Sequence, residues 1–172
     1  MGNFDDNIYC LDAVTGAKIW NYTTNGDNAN VAVAYGNVYA SSYDSNLYCL
    51  DATTGALVWN YTTGGDVVGL PAVADGKVYF NSIDGNVYCL NAVTGAFIWS
   101  YGAGSSNFQV SSPAVANGVV YVSGGKGVVY AFSGLSEPIP EGLTLGLMLL
   151  LSTVSVIVSL HYYRKRPKWQ NW

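Results

Sequence analysis

Histidine is almost missing from this chain. Its one copy, His161, sits in an apolar stretch near the C-terminus, so residues 1–142 carry no imidazole for a nucleophilic or zinc centre. Cysteine is scarce as well, and Cys10, Cys49 and Cys89 are never adjacent. Charged residues make up only 10% of the chain. Within residues 1–142 three lysines (Lys18, Lys77 and Lys126) face all eleven acidic residues, a net −8, which lacks the electrostatic footprint of a nucleic-acid binder. There is no G-x-S-x-G, no Walker loop and no G-x-G-x-x-G. Residues 1–20 show neither the basic nor the apolar region of a signal peptide.

What the chain does have is 50% hydrophobic residues, 20 glycines and 14 tyrosines, a composition suited to many short strands joined by tight turns. It also has a repeat. IYCLDAVTGAKIWNY begins at Ile8, LYCLDATTGALVWNY at Leu47 and VYCLNAVTGAFIWSY at Val87, with a weaker copy, VYAFSG, from Val129. A second string precedes each later copy: VAVAYGNVYASSYDSN from Val31, PAVADGKVYFNSIDGN from Pro71 and PAVANGVVYVSGGKGV from Pro113. Each unit of about 40 residues reads as four antiparallel strands, the pattern of a propeller blade. First strands are expected over 31–34, 71–74 and 113–116, and second strands over 38–41, 78–81 and 120–123. Third strands are expected over 47–50, 87–90 and 129–132. Fourth strands should end in Trp20, Trp59 and Trp99. The third strands are apolar at nearly every position, as expected of strands covered on both faces. Gly124-Gly125-Lys126-Gly127 is the last copy of a hairpin turn, not a phosphate cradle.

The motif V-Y-x-L-(D/N)-A-x-T-G-x-x-x-W, preceded by P-A-V-A-x-G-x-V-Y, resembles the repeat of pyrroloquinoline-quinone-type (PQQ-like) β-propellers over roughly residues 4–134. That superfamily includes quinoprotein alcohol dehydrogenases, the propeller lipoprotein of bacterial outer-membrane assembly, and archaeal and bacterial surface proteins. The resemblance implies that Trp20, Trp59 and Trp99 dock between adjacent blades. The family's enzymes hold their quinone with a disulfide between adjacent cysteines, a calcium ion and a Trp floor. Adjacent cysteines are lacking here, so no cofactor, metal or catalytic residue is expected in this chain.

The fold class is therefore all-β: a partial β-propeller of about three blades in residues 1–134, followed by one transmembrane helix. Two, four, four and three strands make thirteen, short of the seven or eight blades that the resemblance implies for a closed ring. The chain is expected to be the C-terminal part of a longer propeller, to complete a ring by self-association or with a partner, or to stand as an open arc. Residues 135–142 read as a Pro-containing linker. Residues 143–163 carry no Asp, Glu, Lys or Arg and as a helix would span roughly 30 Å, the thickness of a bilayer core. Arg164, Lys165, Arg166 and Lys168 follow, so residues 164–172 are expected in the cytoplasm and the propeller outside. The combination looks like an archaeal surface protein.

Asn21-Tyr22-Thr23 and Asn60-Tyr61-Thr62 are N-glycosylation sequons at one repeat position, so Asn21 and Asn60 are candidate glycosylation sites, with ordinary strand-edge asparagine as the alternative. The cysteines also share one repeat position and are expected to be packing residues; a metal or redox cluster is the alternative. Asp12, Asp51 and Asn91, and likewise Asp44 and Asp84, are expected to stabilise turns rather than to bind calcium. The loop 102–112 is longer than its counterparts, and its Asn107, Phe108 and Gln109 form a candidate contact loop, or a tolerated insertion. The chain reads as a non-catalytic, membrane-anchored scaffold that binds proteins or glycans at the cell surface. The alternatives are the membrane-anchored end of a PQQ-dependent dehydrogenase and the sensor portion of a receptor.

Overall fold

The computed structural model describes residues 5–102, 111–124 and 128–133, all within the unit Met1–Gly134. They form thirteen strands in four antiparallel sheets. The first sheet pairs β1 (Asn7–Leu11) with β2 (Lys18–Thr23). The second orders β3 (Asn28–Ala34), β4 (Asn37–Ser42), β5 (Asn46–Asp51) and β6 (Leu57–Thr62). The third orders β7 (Val67–Ala74), β8 (Lys77–Ser82), β9 (Asn86–Asn91) and β10 (Phe97–Gly102). The fourth has β11 (Ala114–Ala116), β12 (Val119–Gly124) and β13 (Val128–Ser133). This is the two, four, four and three read from the repeat.

Local chemistry explains the strand ends. Ser45 and Gly85 turn the hairpins between the second and third strands with φ of 72° and 91°. Tyr35-Gly36, Asp75-Gly76 and Asn117-Gly118 each place two consecutive residues at positive φ, the two-residue turn whose twist matches the flanking strands. Inner strands of neighbouring blades lie side by side, β3 with β7 and β7 with β11. The faces between blades are mainly apolar. Ile8, Trp20, Val38, Ala40, Tyr48 and Leu50 join blades one and two. Tyr39, Leu47, Cys49, Val78, Phe80, Tyr88 and Leu90 join blades two and three. Tyr79, Val87, Cys89, Val120 and Val122 join blades three and four. A large side chain among them, such as Leu50, Leu90 or Phe80, contributes about 1.5–3 kcal/mol by leaving water.

Two boundaries differ from the sequence reading. The inner strands of blades two and three start earlier, at Asn28 and Val67, because each contains a bulge. In β7 the register jumps from Val68 to Ala72, which carries Pro71, with no N–H to give, past its partner strand, and Gly69 adopts φ +79° there. The outer strands run three residues beyond Trp20, Trp59 and Trp99, because those residues continue the ladder with the third strand.

The expected linker 135–142, transmembrane helix 143–163 and basic tail 164–172 lie outside the described residues, as do Asn107, Phe108 and Gln109. Among the described residues no helix is long and apolar enough to cross a membrane.

Candidate functional site

The D-A-x-T-G turns build the same small structure three times. One Oδ1 of Asp12 accepts the N–H groups of Val14 (3.0 Å) and Thr15 (2.7 Å), and the Thr15 hydroxyl donates to it at 2.8 Å. Asp51 does the same with Thr53 (2.9 Å), Thr54 (2.7 Å) and the Thr54 hydroxyl (2.9 Å). Asn91 accepts from Val93 and Thr94 at 3.0 and 2.9 Å. Gly16, Gly55 and Gly95 close the turns at φ +71°, +73° and +70°. These bonds, led by the Thr15 and Thr54 N–H groups, hold the Asp12 and Asp51 carboxyls below the usual range.

Two of the turns receive an indole from the preceding blade. The Trp20 Nε1–H donates to the Ala52 carbonyl at 3.1 Å, and Trp59 Nε1–H to the Ala92 carbonyl at 3.2 Å. A Cβ placed on Gly55 or Gly95 would lie 2.7 Å from ring atoms of Trp20 or Trp59, so glycine is the floor under each indole. Trp99 packs against Tyr79 and Phe132, with ring centroids 6.1 and 5.3 Å apart. Each Trp stands opposite a cysteine across the strand pair: Cys10 with Trp20, Cys49 with Trp59 and Cys89 with Trp99. All three thiols are free, and burial pushes those of Cys49 and Cys89 up to about 11. Cys49 and Cys89 are fully buried and Cys10 is half-buried, so Cys10 should react with a thiol reagent at pH 8 in the folded chain. The other two should react only on unfolding. Equal rates for all three would contradict this packing.

A second acidic series does more than the sequence reading assigned to it. Asp44 accepts from the N–H of Asn46 at 3.1 Å, as expected of a turn. It also takes the Tyr48 hydroxyl at 2.6 Å and, from the loop before the inner strand, the Asn25 N–H at 3.0 Å. Asp84 repeats the set with Asn86 (3.0 Å), Tyr88 (2.7 Å) and Gly64 (3.0 Å), and Asp5 holds Asn7 at 3.0 Å and Tyr9 at 2.8 Å. The recurrent D-x-N-x-Y spacing was the signal in the sequence. Partial burial works to raise the Asp44 and Asp84 carboxyls, but the hydrogen bonds, led by the tyrosine hydroxyls, outweigh it and hold both below the usual range. Burial, with the carboxylate bond next, pushes Tyr48 and Tyr88 strongly upward.

These shifts define a pH window. Carboxyls lowered by folding stabilise the chain above their unfolded value of about 4, and that gain is lost as pH falls through the folded values. Phenols raised by folding stabilise it below about 10, and that gain is lost as pH rises further. Thermal melting of the full chain should therefore be nearly flat from about pH 5 to 9 and fall by a few degrees or more on either side. A monotonic change across that range would be inconsistent with the Asp–Tyr pairs.

The sequon residues are structurally engaged. The Asn21 and Asn60 amides donate to Oδ1 of Asn7 and Asn46 at 3.1 and 3.3 Å. The Thr23 and Thr62 hydroxyls donate to the same oxygens at 2.7 and 2.6 Å. Both asparagines remain exposed on the outer strands.

Among the described residues, two blade faces are uncovered. In blade one Tyr9 is 42% and Leu11 54% exposed, whereas their counterparts Tyr48, Leu50, Tyr88 and Leu90 are buried. In blade four Tyr121 is 42% and Val129 65% exposed, whereas Tyr39, Leu47, Tyr79 and Val87 are buried. Tyr9 and Leu11 thus face away from blade two, and Tyr121 and Val129 away from blade three.

Residues 5–136 match the family described as "Outer membrane protein assembly factor BamB". Among solved structures, BamB from Moraxella catarrhalis superposes with a TM-score of 0.65 at 25% identity, covering 77% of this chain and 41% of that one. The computationally designed Ika4 protein superposes at 0.68 with 15% identity, over 77% of this chain and 82% of that one. A quinohemoprotein alcohol dehydrogenase, ADHIIG from Pseudomonas putida, gives 0.54 at 28% identity over 65% of this chain and 20% of that one. The chain thus spans about two fifths of the BamB structure's length. No curated protein matches in sequence.

Proposed function

The chain belongs to the family described as outer membrane protein assembly factor BamB, and from that premise we propose that it is a non-catalytic scaffold presenting propeller blades to other macromolecules at a membrane surface. The observation that carries this reading is the pair of uncovered blade faces, Tyr9 and Leu11 at one end and Tyr121 and Val129 at the other. Apolar surface of this kind on a rigid stack of sheets suits association with proteins or glycans, including self-association that adds blades. The turn acids support a role without turnover, since Asp44 and Asp84 engage both carboxylate oxygens, and Asp12 and Asp51 their Oδ1, with the repeat's own N–H and hydroxyl groups.

In this proposal residues 143–163 cross the membrane once and residues 164–172 stay in the cytoplasm, supported by the uncharged run and the basic cluster after it. In sealed right-side-out vesicles, added protease should remove the blades while an epitope on the tail survives; digestion of the tail would overturn the orientation. The similarity to a quinohemoprotein alcohol dehydrogenase favours a second reading, the membrane-bound end of such an enzyme. Titrating the full chain with pyrroloquinoline quinone and calcium separates the two. The scaffold reading expects no saturable quinone absorbance change and no dye-linked alcohol oxidation, and either one would displace it.

A further inference from the structure

Asn21 and Asn60 share more than a sequence motif. They lie inside β2 and β6, the outermost strands of blades one and two, which pair on one side only, with β1 and β5. An outermost strand offers its free N–H and C=O groups to any other strand, and proteins blunt such edges with charge or proline. β6 has neither. Residues 52–65 hold no charged side chain, and Leu57 and Val58 are exposed on the edge. β2 has one charge, Lys18 at its first position, with Ile19 exposed next to it. On both edges the sequon asparagine is exposed, and so is the threonine two residues on. The counterparts in β10 are Ser100 and Gly102, so the edge of blade three lacks the motif.

We propose that Asn21 and Asn60 carry N-linked oligosaccharides, which cover the outer edges of blades one and two and leave that of blade three bare. This rests on the scaffold reading, which puts the blades outside the membrane. The donor is a lipid-linked oligosaccharide activated through phosphate. Asparagine Nδ2 attacks the anomeric carbon and loses one proton, while the bond from that carbon to the phosphate oxygen breaks and the lipid phosphate leaves. The local bonds tolerate the product. An amide nitrogen carries two hydrogens, so the modified Asn60 keeps one for Oδ1 of Asn46. The Thr62 hydroxyl holds the same oxygen at 2.6 Å without it, and Thr23 does so for Asn7 at 2.7 Å. A bulky, hydrated sugar on Asn60 would keep a foreign strand from pairing with β6, the task that charge performs on other edges.

The test uses the full chain purified from its own membranes, with its peptides fragmented by electron transfer, which leaves sugars attached. Sugar mass is expected on Asn21 and Asn60. Thr62→Val should abolish it at Asn60, and Thr62→Ser, which keeps both the hydroxyl and the sequon, should retain it. The double variant Asn21→Gln/Asn60→Gln should at least double its protein mass in sedimentation, by pairing edge to edge. Bare asparagine at either position, in blades that protease digests from outside sealed vesicles, would overturn the proposal and leave the scaffold reading standing. Bare asparagine in blades that protease reaches only after lysis would overturn both. Sugar at both sites with no change of mass in the double variant would overturn the covering of the edges.

Discussion

Trp59→Ala should destabilise the full chain by about 3 kcal/mol, the lower end of the range for removing a packed Trp, since Trp59 is only partly buried. Its indole stands on Gly95, faces Tyr39 at 6.0 Å and borders the cluster between blades two and three. The loss is mainly one of packing. The Ala92 carbonyl keeps a second donor, the Tyr39 hydroxyl at 3.0 Å, so it is not orphaned when the indole N–H goes. Trp59→Phe, which keeps a ring over the glycine, should therefore cost only about 1–1.5 kcal/mol. Position along the arc matters as much as contact area. Blades in a stack are coupled to nearest neighbours, so cutting the central interface separates two blades from two. Trp20→Ala loosens only the two-stranded first blade, and hydrogen exchange should then rise in β1 and β2 alone. Urea unfolding of the three variants checks the order, and a Trp59→Ala cost below about 1 kcal/mol would mean that the indole is not what joins the blades.

Much of this architecture was legible in the sequence because a repeat reports the same constraint several times. The apolar segments around Cys49 and Cys89 identified strands covered on both faces, and those strands are buried. The same segment around Cys10 has an open outer face, because coverage depends on the neighbouring blade and not on the residues themselves. The bulge at Pro71 was not legible, since its register is set by the partner strand. The tyrosine–aspartate pairs were missed for a different reason. Read as strand, Tyr9, Tyr48 and Tyr88 were only apolar surface, and the hydroxyl's reach to the carboxylate four residues earlier depends on how the hairpin folds back. For the interblade turns, D-A-x-T-G specified the turn, while the indole that fills it comes from more than 30 residues away.

Gly55→Ala should cost about 3 kcal/mol and Gly16→Ala only about 1, although both lie in nearly the same pentapeptide and hold φ within a few degrees of each other. An L-residue in the left-handed region carries a penalty of roughly 1–2 kcal/mol wherever it sits, and that penalty is common to both. Only at Gly55 would the new methyl come within 2.7 Å of an indole, closer than carbon atoms tolerate, so Trp20 must shift and the packing behind it must follow. Overpacking of this kind adds about 1–3 kcal/mol. In a Trp20→Ala background the ring is gone, and Gly55→Ala should there cost no more than Gly16→Ala, which makes the coupling between positions 20 and 55 about 2 kcal/mol. Denaturant melts of the two single glycine variants, Trp20→Ala and the double variant close the cycle. A coupling near zero would mean that Gly55 is there for its backbone alone. A coupling of the expected size would identify the glycine as the seat of the indole, and would explain why the same glycine at position 16 tolerates a methyl group for as long as no tryptophan rests on it.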